Sequence, residues 1–251
     1  MRSFSAADPS KIHVLAIDYR GFGLSSGIPS EAGLIQDGLA AVRFAVDQLG
    51  IPSSRIALVG QSLGTAVTFG VAEALSTQSP PEELGAVISI AGFSHLRELV
   101  LTYKAGGFFP VLAIFSGFPR LQRWITGFII ETWNSTARVE SLVQHSPNLN
   151  LVLLHATNDR DIPNFHCDEL FAHAASAVEK TLDPEGTTKS VGALLDARII
   201  TNYGNESTFA TLPKERSNGR QISQWIVGWG GHNAVVTSAT TSVIVAKAFG
   251  L

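Results

Sequence analysis

Arg55-Ile56-Ala57-Leu58-Val59-Gly60-Gln61-Ser62-Leu63-Gly64-Thr65-Ala66 is the stretch that decides the architecture of this chain. An apolar run rich in Ile, Leu and Val ends at a glycine, turns at Gln61-Ser62 and passes at once into small residues, Gly64, Ala66 and Gly70. Such a run reads as a buried strand, and the small residues after it let a helix lie close on the sheet. A serine on so sharp a turn is forced into strained backbone angles, so the positions two before and two after it are expected to lack side chains. The strain lifts the hydroxyl above the sheet, at the positive end of the following helix. A glycine-rich chain produces the five-residue pattern by accident, and a plain strand-to-helix turn needs no chemistry. The strand before it and the helix after it are what give the pattern meaning.

Four further runs read as strands covered on both faces: Ile12 to Asp18, Ala86 to Ala91, Leu149 to Ala156, and Ile222 to Trp229. Between the first strand and the serine turn, Ile35, Leu39, Val42, Val46 and Leu49 alternate in spacings of four and three, which is one stripe of a helix. Pro29 and Ser30 punctuate its start, and Gly50 and Pro52 its end. Asn164 to Glu179 and Ala234 to Phe249 read as further helices. Strand alternating with helix predicts an α/β fold, a mostly parallel sheet with right-handed crossovers and helices on both faces. Two segments break the rhythm. Residues 93–145 carry Phe108, Phe109, Phe115, Phe118, Trp124 and Trp133 between two strands, and residues 181–220 are rich in Gly, Thr, Asn and Ser, with a candidate strand at Ala197 to Tyr203.

At 251 residues the chain suits one large α/β domain. Apolar residues make up 45% and charged residues 16%, the balance of a well-buried sheet. A formal charge of −3, with 18 Lys and Arg scattered along the chain, gives no footprint for nucleic acid. Cys167 is the only cysteine, which excludes an intrachain disulfide and leaves no cysteine-based metal centre to expect. It reads as a half-buried small apolar residue. The first nine residues have no apolar core of a signal peptide, and no run of apolar residues is long enough to span a bilayer. No feature asks for a metal or an organic cofactor.

A lone serine hydroxyl is a poor nucleophile at neutral pH and needs a base within hydrogen-bond reach. Of the seven histidines, His232 stands in Gly228-Trp229-Gly230-Gly231-His232-Asn233, just past a strand and before a helix. Flanking glycines let that loop present an imidazole across the strand tops. His155 ends a strand and reads as buried in the sheet, while His166 and His173 lie on a helical face. The base needs an acid to orient it and stabilise its cation. His155-Ala156-Thr157-Asn158-Asp159-Arg160-Asp161-Ile162-Pro163 offers two. Asp159 lies nearer the strand end, where the other two members sit; Asp161, two before Pro163, reads as a helix cap. The order Ser62, Asp159, His232 belongs to one hydrolase class and to neither familiar serine-protease class.

At these residues the chain resembles the α/β-hydrolase superfamily over nearly its whole length, and most of all its lysophospholipase and monoacylglycerol-lipase-like branch. Val14 to Gly27 is similar to that family's fourth strand and following loop, Gly60 to Gly64 to its nucleophile elbow, Asp159 to Pro163 to its acid loop, and Gly230 to Asn233 to its histidine loop. The resemblance implies a core of residues 1–92 and 146–251, with 93–145 as a cap whose rings suit a greasy acyl-chain site or plain packing. It implies catalysis by Ser62, Asp159 and His232, with the backbone N–H of Leu63 as one oxyanion donor. The family's His-Gly-bearing strand, source of the second donor, has no counterpart before Ile12. The chain is therefore expected to be N-terminally truncated, lacking the first strands, with membrane association left to a missing upstream segment.

The expected activity is hydrolysis of a small-molecule carboxylic ester, acylglycerol-like or lysophospholipid-like. Two alternatives stand beside it: a peptidase or acyltransferase, since the same triad serves both, and a non-catalytic chain, inert because the oxyanion loop and a central strand are gone. Gly21-Phe22-Gly23 after a strand suggests a dinucleotide loop, but Gly27 falls one place too late for that fingerprint.

Overall fold

The computed structural model describes residues 12–97, 99, 131–187 and 189–249, together with the backbone of 104–105 and 109–110. The six strands of the main sheet are β1 (Ala57–Gln61), β2 (Ala86–Ile90), β3 (Asn150–Ala156), β4 (Ile199–Gly204), β5 (Ser207–Thr211) and β6 (Gln221–Val227). They lie in the order β1-β2-β3-β6-β5-β4. The first four are parallel; β5 then pairs antiparallel to β6, and β4 antiparallel to β5. The mostly parallel α/β sheet read from the sequence is therefore present. The candidate strand in the 181–220 insertion becomes β4, the edge of this sheet, joined to β5 by a tight turn in which Asn205 and Glu206 both take positive φ.

Alternate residues of the central strands feed opposite faces, as the pleat requires. Leu151 and Leu153 pack with Phe69, Leu142 and Phe171 on one side. Val152, Leu154 and Ala156 pack with Ile88, Ile90, Ile244 and Val245 on the other. The first face is covered by α2 (Leu63–Thr77), α3 (Ser135–His145) and α4 (Phe165–Leu182), and the second by α7 (Ala239–Ala248). Further helices among the described residues include α1 (Glu31–Arg43), α5 (Val191–Asp196) and α6 (Gly231–Ala234). Ser30 caps α1, its side chain accepting from Gly33 N–H at 3.1 Å. The stripe predicted for this helix buries Val42, while Leu49 lies past a closing π-turn and faces solvent.

Three expectations need correction. Ile12–Asp18 is not a strand: it runs without a ladder, and Val14, Leu15 and Ile17 keep 45%, 54% and 41% of their surface exposed. A strand requires a neighbour for its backbone groups, and among the described residues none pairs with this segment. Its end is held instead by local bonds, since Asp18 Oδ2 accepts from Leu24 N–H and its carbonyl from Ser25 Oγ. The helix expected over Ala234 to Phe249 is broken into α6, a 3-10 turn and α7. Ser238 breaks it by taking extended backbone angles and capping Thr241 N–H, the competition with helix that serine offers. Cys167 is fully buried, and burial pushes its thiol up to about 12.

Of the aromatic insertion, residues 98, 100–103, 106–108 and 111–130 and the side chains of 104–105 and 109–110, Phe108, Phe109, Phe115, Phe118 and Trp124 among them, lie outside the described residues. Its last eleven residues, α3, pack in the core through Val139, Leu142 and Val143. Arg138 on α3 ties it to Glu31 of α1 at 2.7 Å and to Glu73 of α2 at 3.3 Å. Among the described residues, no helix is long and apolar enough to cross a membrane.

Candidate active site

β1 ends at Gln61, and α2 begins at Leu63, so Ser62 alone makes the turn. It does so at φ +53° and ψ −123°, in the region that disfavours a side chain. Of the two flanking glycines, packing demands only one. A Cβ on Gly60 would lie 2.2 Å from Gly64 O, whereas a Cβ on Gly64 would meet nothing nearer than Tyr19 Oη at 3.9 Å. The expectation that both positions must be bare holds for Gly60 and not for Gly64. Serine at a helix N-terminus ordinarily caps it. Ser62 does not, which leaves its hydroxyl uncommitted at the positive end of a fifteen-residue helix.

The acid loop leaves the end of β3. Asp159 is 7% exposed, and its Oδ1 accepts from the backbone N–H groups of Asp161 at 3.0 Å and Ile162 at 2.9 Å. Its Oδ2 faces His232 Nδ1 at 2.9 Å, with His155 Nε2 at 3.4 Å on the same oxygen. Burial pushes the Asp159 carboxyl up, but the hydrogen bonds from His155, His232 and Ile162 N–H outweigh it and hold the group well below the usual carboxylate range. It is an ionised acceptor with its orientation fixed.

His232 follows β6 in the Gly230-Gly231 loop, where both glycines take positive φ, +116° and +53°. A Cβ at Gly230 would sit 2.8 Å from Val235 Cα, so the loop closes on the 3-10 turn after α6 only without one. Two side-chain bonds fix the loop on either side of the imidazole. Asn158 Oδ1 accepts from Gly231 N–H at 2.8 Å, and Gln61 Nε2 donates to the His232 carbonyl at 2.8 Å. The first ties the base loop to the acid loop, the second to the residue before Ser62. Neither Gln61 nor Asn158 was singled out from the sequence. Their only signal there is adjacency to Ser62 and Asp159, and adjacency says nothing about direction.

Burial pulls the His232 imidazole down, but the hydrogen bond and charge of Asp159, with the charge of Asp161, outweigh it and raise the group above its ordinary 6.5. Because a carboxylate only accepts, Nδ1 carries the proton and Nε2 is left as the basic nitrogen. Asp159 and His232 are thus joined by a direct hydrogen bond. No such bond joins Ser62 Oγ to His232 among the described residues; the two are linked through Gln61.

Asp161 does not cap a helix. Asn164 occupies the N-cap of α4, and the Asp161 carboxylate instead lies close to Asp159 and His232. Donor atoms of these three residues fall within 4.8 Å of one another, near enough to share a cation, but the Asp159–His232 hydrogen bond engages two of the three. His155 is fully buried at the end of β3, as its sequence position suggested. An open groove of about 600 Å³ between residues 15–26 and α1 is lined by Leu15, Ile17, Arg20, Leu24 and Phe44, and by none of the three site residues.

Residues 1–199 match the family model described as "Alpha/beta hydrolase family". The alpha/beta hydrolase domain-containing protein WAV2 of Arabidopsis thaliana is 30% identical over 170 residues, 66% of this chain and 50% of that protein. The chain spans about half the length of the curated relatives it matches. Among solved structures, an alpha-beta hydrolase from Vibrio vulnificus superposes with a TM-score of 0.55 at 14% identity, covering 90% of this chain and 61% of that one. The esterase Pf2001 of Pyrococcus furiosus superposes with a TM-score of 0.53 at 16% identity, over 93% of this chain and 66% of that one. At such identities these two likenesses concern the fold.

Proposed function

Because this chain belongs to the alpha/beta hydrolase family, we propose that it is a serine hydrolase cleaving carboxylic esters through an acyl-enzyme on Ser62. One observation carries this reading: a buried, ionised Asp159 hydrogen-bonded to His232 Nδ1, on a loop pinned to the strained turn that bears Ser62.

The chemistry follows from the proton positions. Ser62 Oγ attacks the substrate carbonyl as its proton passes to His232 Nε2. Asp159 faces the imidazolium that results, and its charge holds that cation in place. Negative charge gathers on the former carbonyl oxygen at the start of α2, where the Leu63 N–H, the first of the helix, has no partner within the helix. Collapse expels the alcohol, which takes the proton from His232. The imidazole then accepts a proton from water as its oxygen attacks the acyl-enzyme; collapse breaks the bond to Ser62 Oγ, which takes that proton back from His232, and the carboxylic acid departs. Small acyl esters of the acylglycerol or lysophospholipid kind are the substrate class, supported by the likeness of the elbow, acid and histidine loops to that branch of the family.

A fluorophosphonate probe tests the nucleophile. The wild-type chain is expected to be labelled covalently, and Ser62→Ala to lose all labelling while keeping its fold by circular dichroism. A panel of medium-chain and long-chain esters against matched amides then reads the leaving group, with turnover expected on the esters. A wild-type chain that takes no label, or one labelled equally well in Ser62→Ala, ends the proposal.

A further inference from the structure

Beneath the acid lies a buried histidine that the mechanism above does not use. His155 is the penultimate residue of β3, with no exposed side-chain surface. Its Nε2 stands 2.8 Å from the carbonyl oxygen of Ile162 and 3.4 Å from Asp159 Oδ2. Both neighbours are acceptors, so Nε2 carries the proton and the N–H lies between them. We propose that His155 is a positioning residue for the acid: its Nε2–H fixes the turn from Asp159 to Ile162 and supplies the second donor to the oxygen that holds His232.

The case is one of complete accounting. A carboxylate has about four acceptor positions, two on each oxygen. On Oδ1 both are filled by backbone N–H groups, from Asp161 and Ile162. On Oδ2 one faces His232 Nδ1 and the other faces His155. The donors come from three parts of the chain, the Asp161-Ile162 turn, the end of β3 and the His232 loop, so one orientation of the carboxylate satisfies all of them. The Ile162 carbonyl closes the same turn from below, because the residue that donates to Oδ1 through its N–H accepts from His155 through its oxygen. Ile162 is itself in the core, so this anchor does not move with solvent. The titratable groups facing Asp159 are His232, His155, Asp161 and, more distantly, His166 on α4.

Without His155, Oδ2 would be held by His232 alone. The carboxylate, still held at Oδ1 by the Asp161 and Ile162 N–H groups, would lose the donor that shares Oδ2, and its charge would fall more fully on the His232 proton. Two consequences differ from those of simple packing. Turnover drops while substrate binding stays, and His232 becomes harder to deprotonate.

This inference rests on the triad assignment, so its deciding readout is one that needs no catalysis. In His155→Leu, His232 followed by proton NMR is expected to titrate about half a pH unit or more above wild type. His155→Gln places an amide N–H near the original Nε2 and is expected to bring the titration back. In parallel, kcat on an ester substrate is expected to fall about tenfold in the Leu variant with KM little changed, and to recover in the Gln variant. If His155→Leu does not fold, His155→Asn, whose donor falls short of Asp159, is read in the same way. A folded Leu or Asn variant in which His232 titrates as in wild type overturns the proposal, whatever its turnover. A wild-type chain unreactive toward the fluorophosphonate would sink the serine-hydrolase reading instead, and the His232 titration would still judge His155.

Discussion

Leu149 to Ala156 and Ile12 to Asp18 are nearly the same kind of sequence, and they end in opposite places. The first becomes β3, hydrogen-bonded to strands on both sides, with Leu151, Leu153 and Leu154 sealed in the core. The second carries Val14, Leu15 and Ile17 in solvent. The difference lies outside both segments. An apolar run buries itself only where neighbours take up its N–H and C=O groups and cover its faces. β3 also leads to the candidate site: three residues past its end comes Asp159, and its penultimate residue, His155, lies beneath that carboxylate. The exposed segment delivers no residue to the Ser62, Asp159 and His232 site.

The largest test of this contrast falls at the rim that β3 supplies. Asp159→Asn should lower kcat by about 10⁴, because the amide favours the wrong imidazole tautomer and removes the charge that stabilises the cation. Asp161→Asn, which leaves the acceptor of the His232 Nδ1 proton in place, should cost far less. Steady-state kinetics on one ester decide between them, and the reverse order would move the acid to Asp161.

A second comparison sets the two runs directly against each other. Leu153→Ala should cost about 3 kcal/mol of unfolding free energy, the transfer and cavity penalty of a sealed site. Leu15→Ala should stay within about 0.5 kcal/mol, as surface changes do. Urea midpoints of the two variants measure both. A large loss at Leu15 would show that the segment is covered in solution and erase the contrast.

The smallest effect tests the layer next to β3. His166 on α4 is fully buried, its Nδ1 2.8 Å from Ser94 Oγ, and burial pulls it down to about 4. The unfolded chain, at an ordinary 6.5, binds more protons between those values, so this group's share of stability is complete above 6.5 and declines as pH falls toward 4. The decline amounts to at most about 3 kcal/mol. His166→Gln should flatten that part of the stability profile in urea titrations run from pH 7 to 4. A slope unchanged by the substitution would assign the acid sensitivity to other groups.

Local sequence determined whatever depends on local chemistry. The alternation of apolar runs and helical stripes specified a parallel α/β sheet, because burial on both faces leaves a strand no polar side. Gly60 and Ser62 announced a strained turn, since a Cβ at position 60 would collide with the backbone of Gly64. Ser62, Asp159 and His232 were legible because each stands just past a strand end, where a loop can bring it to one rim. Tertiary structure alone decided the rest. It left Ile12 to Asp18 unladdered, let Ser238 cut the final helix, and turned Gln61, Asn158 and His155 onto the base loop and the acid. Those choices depend on where a donor points and what lies across from it, and such directions exist only once distant segments are packed together.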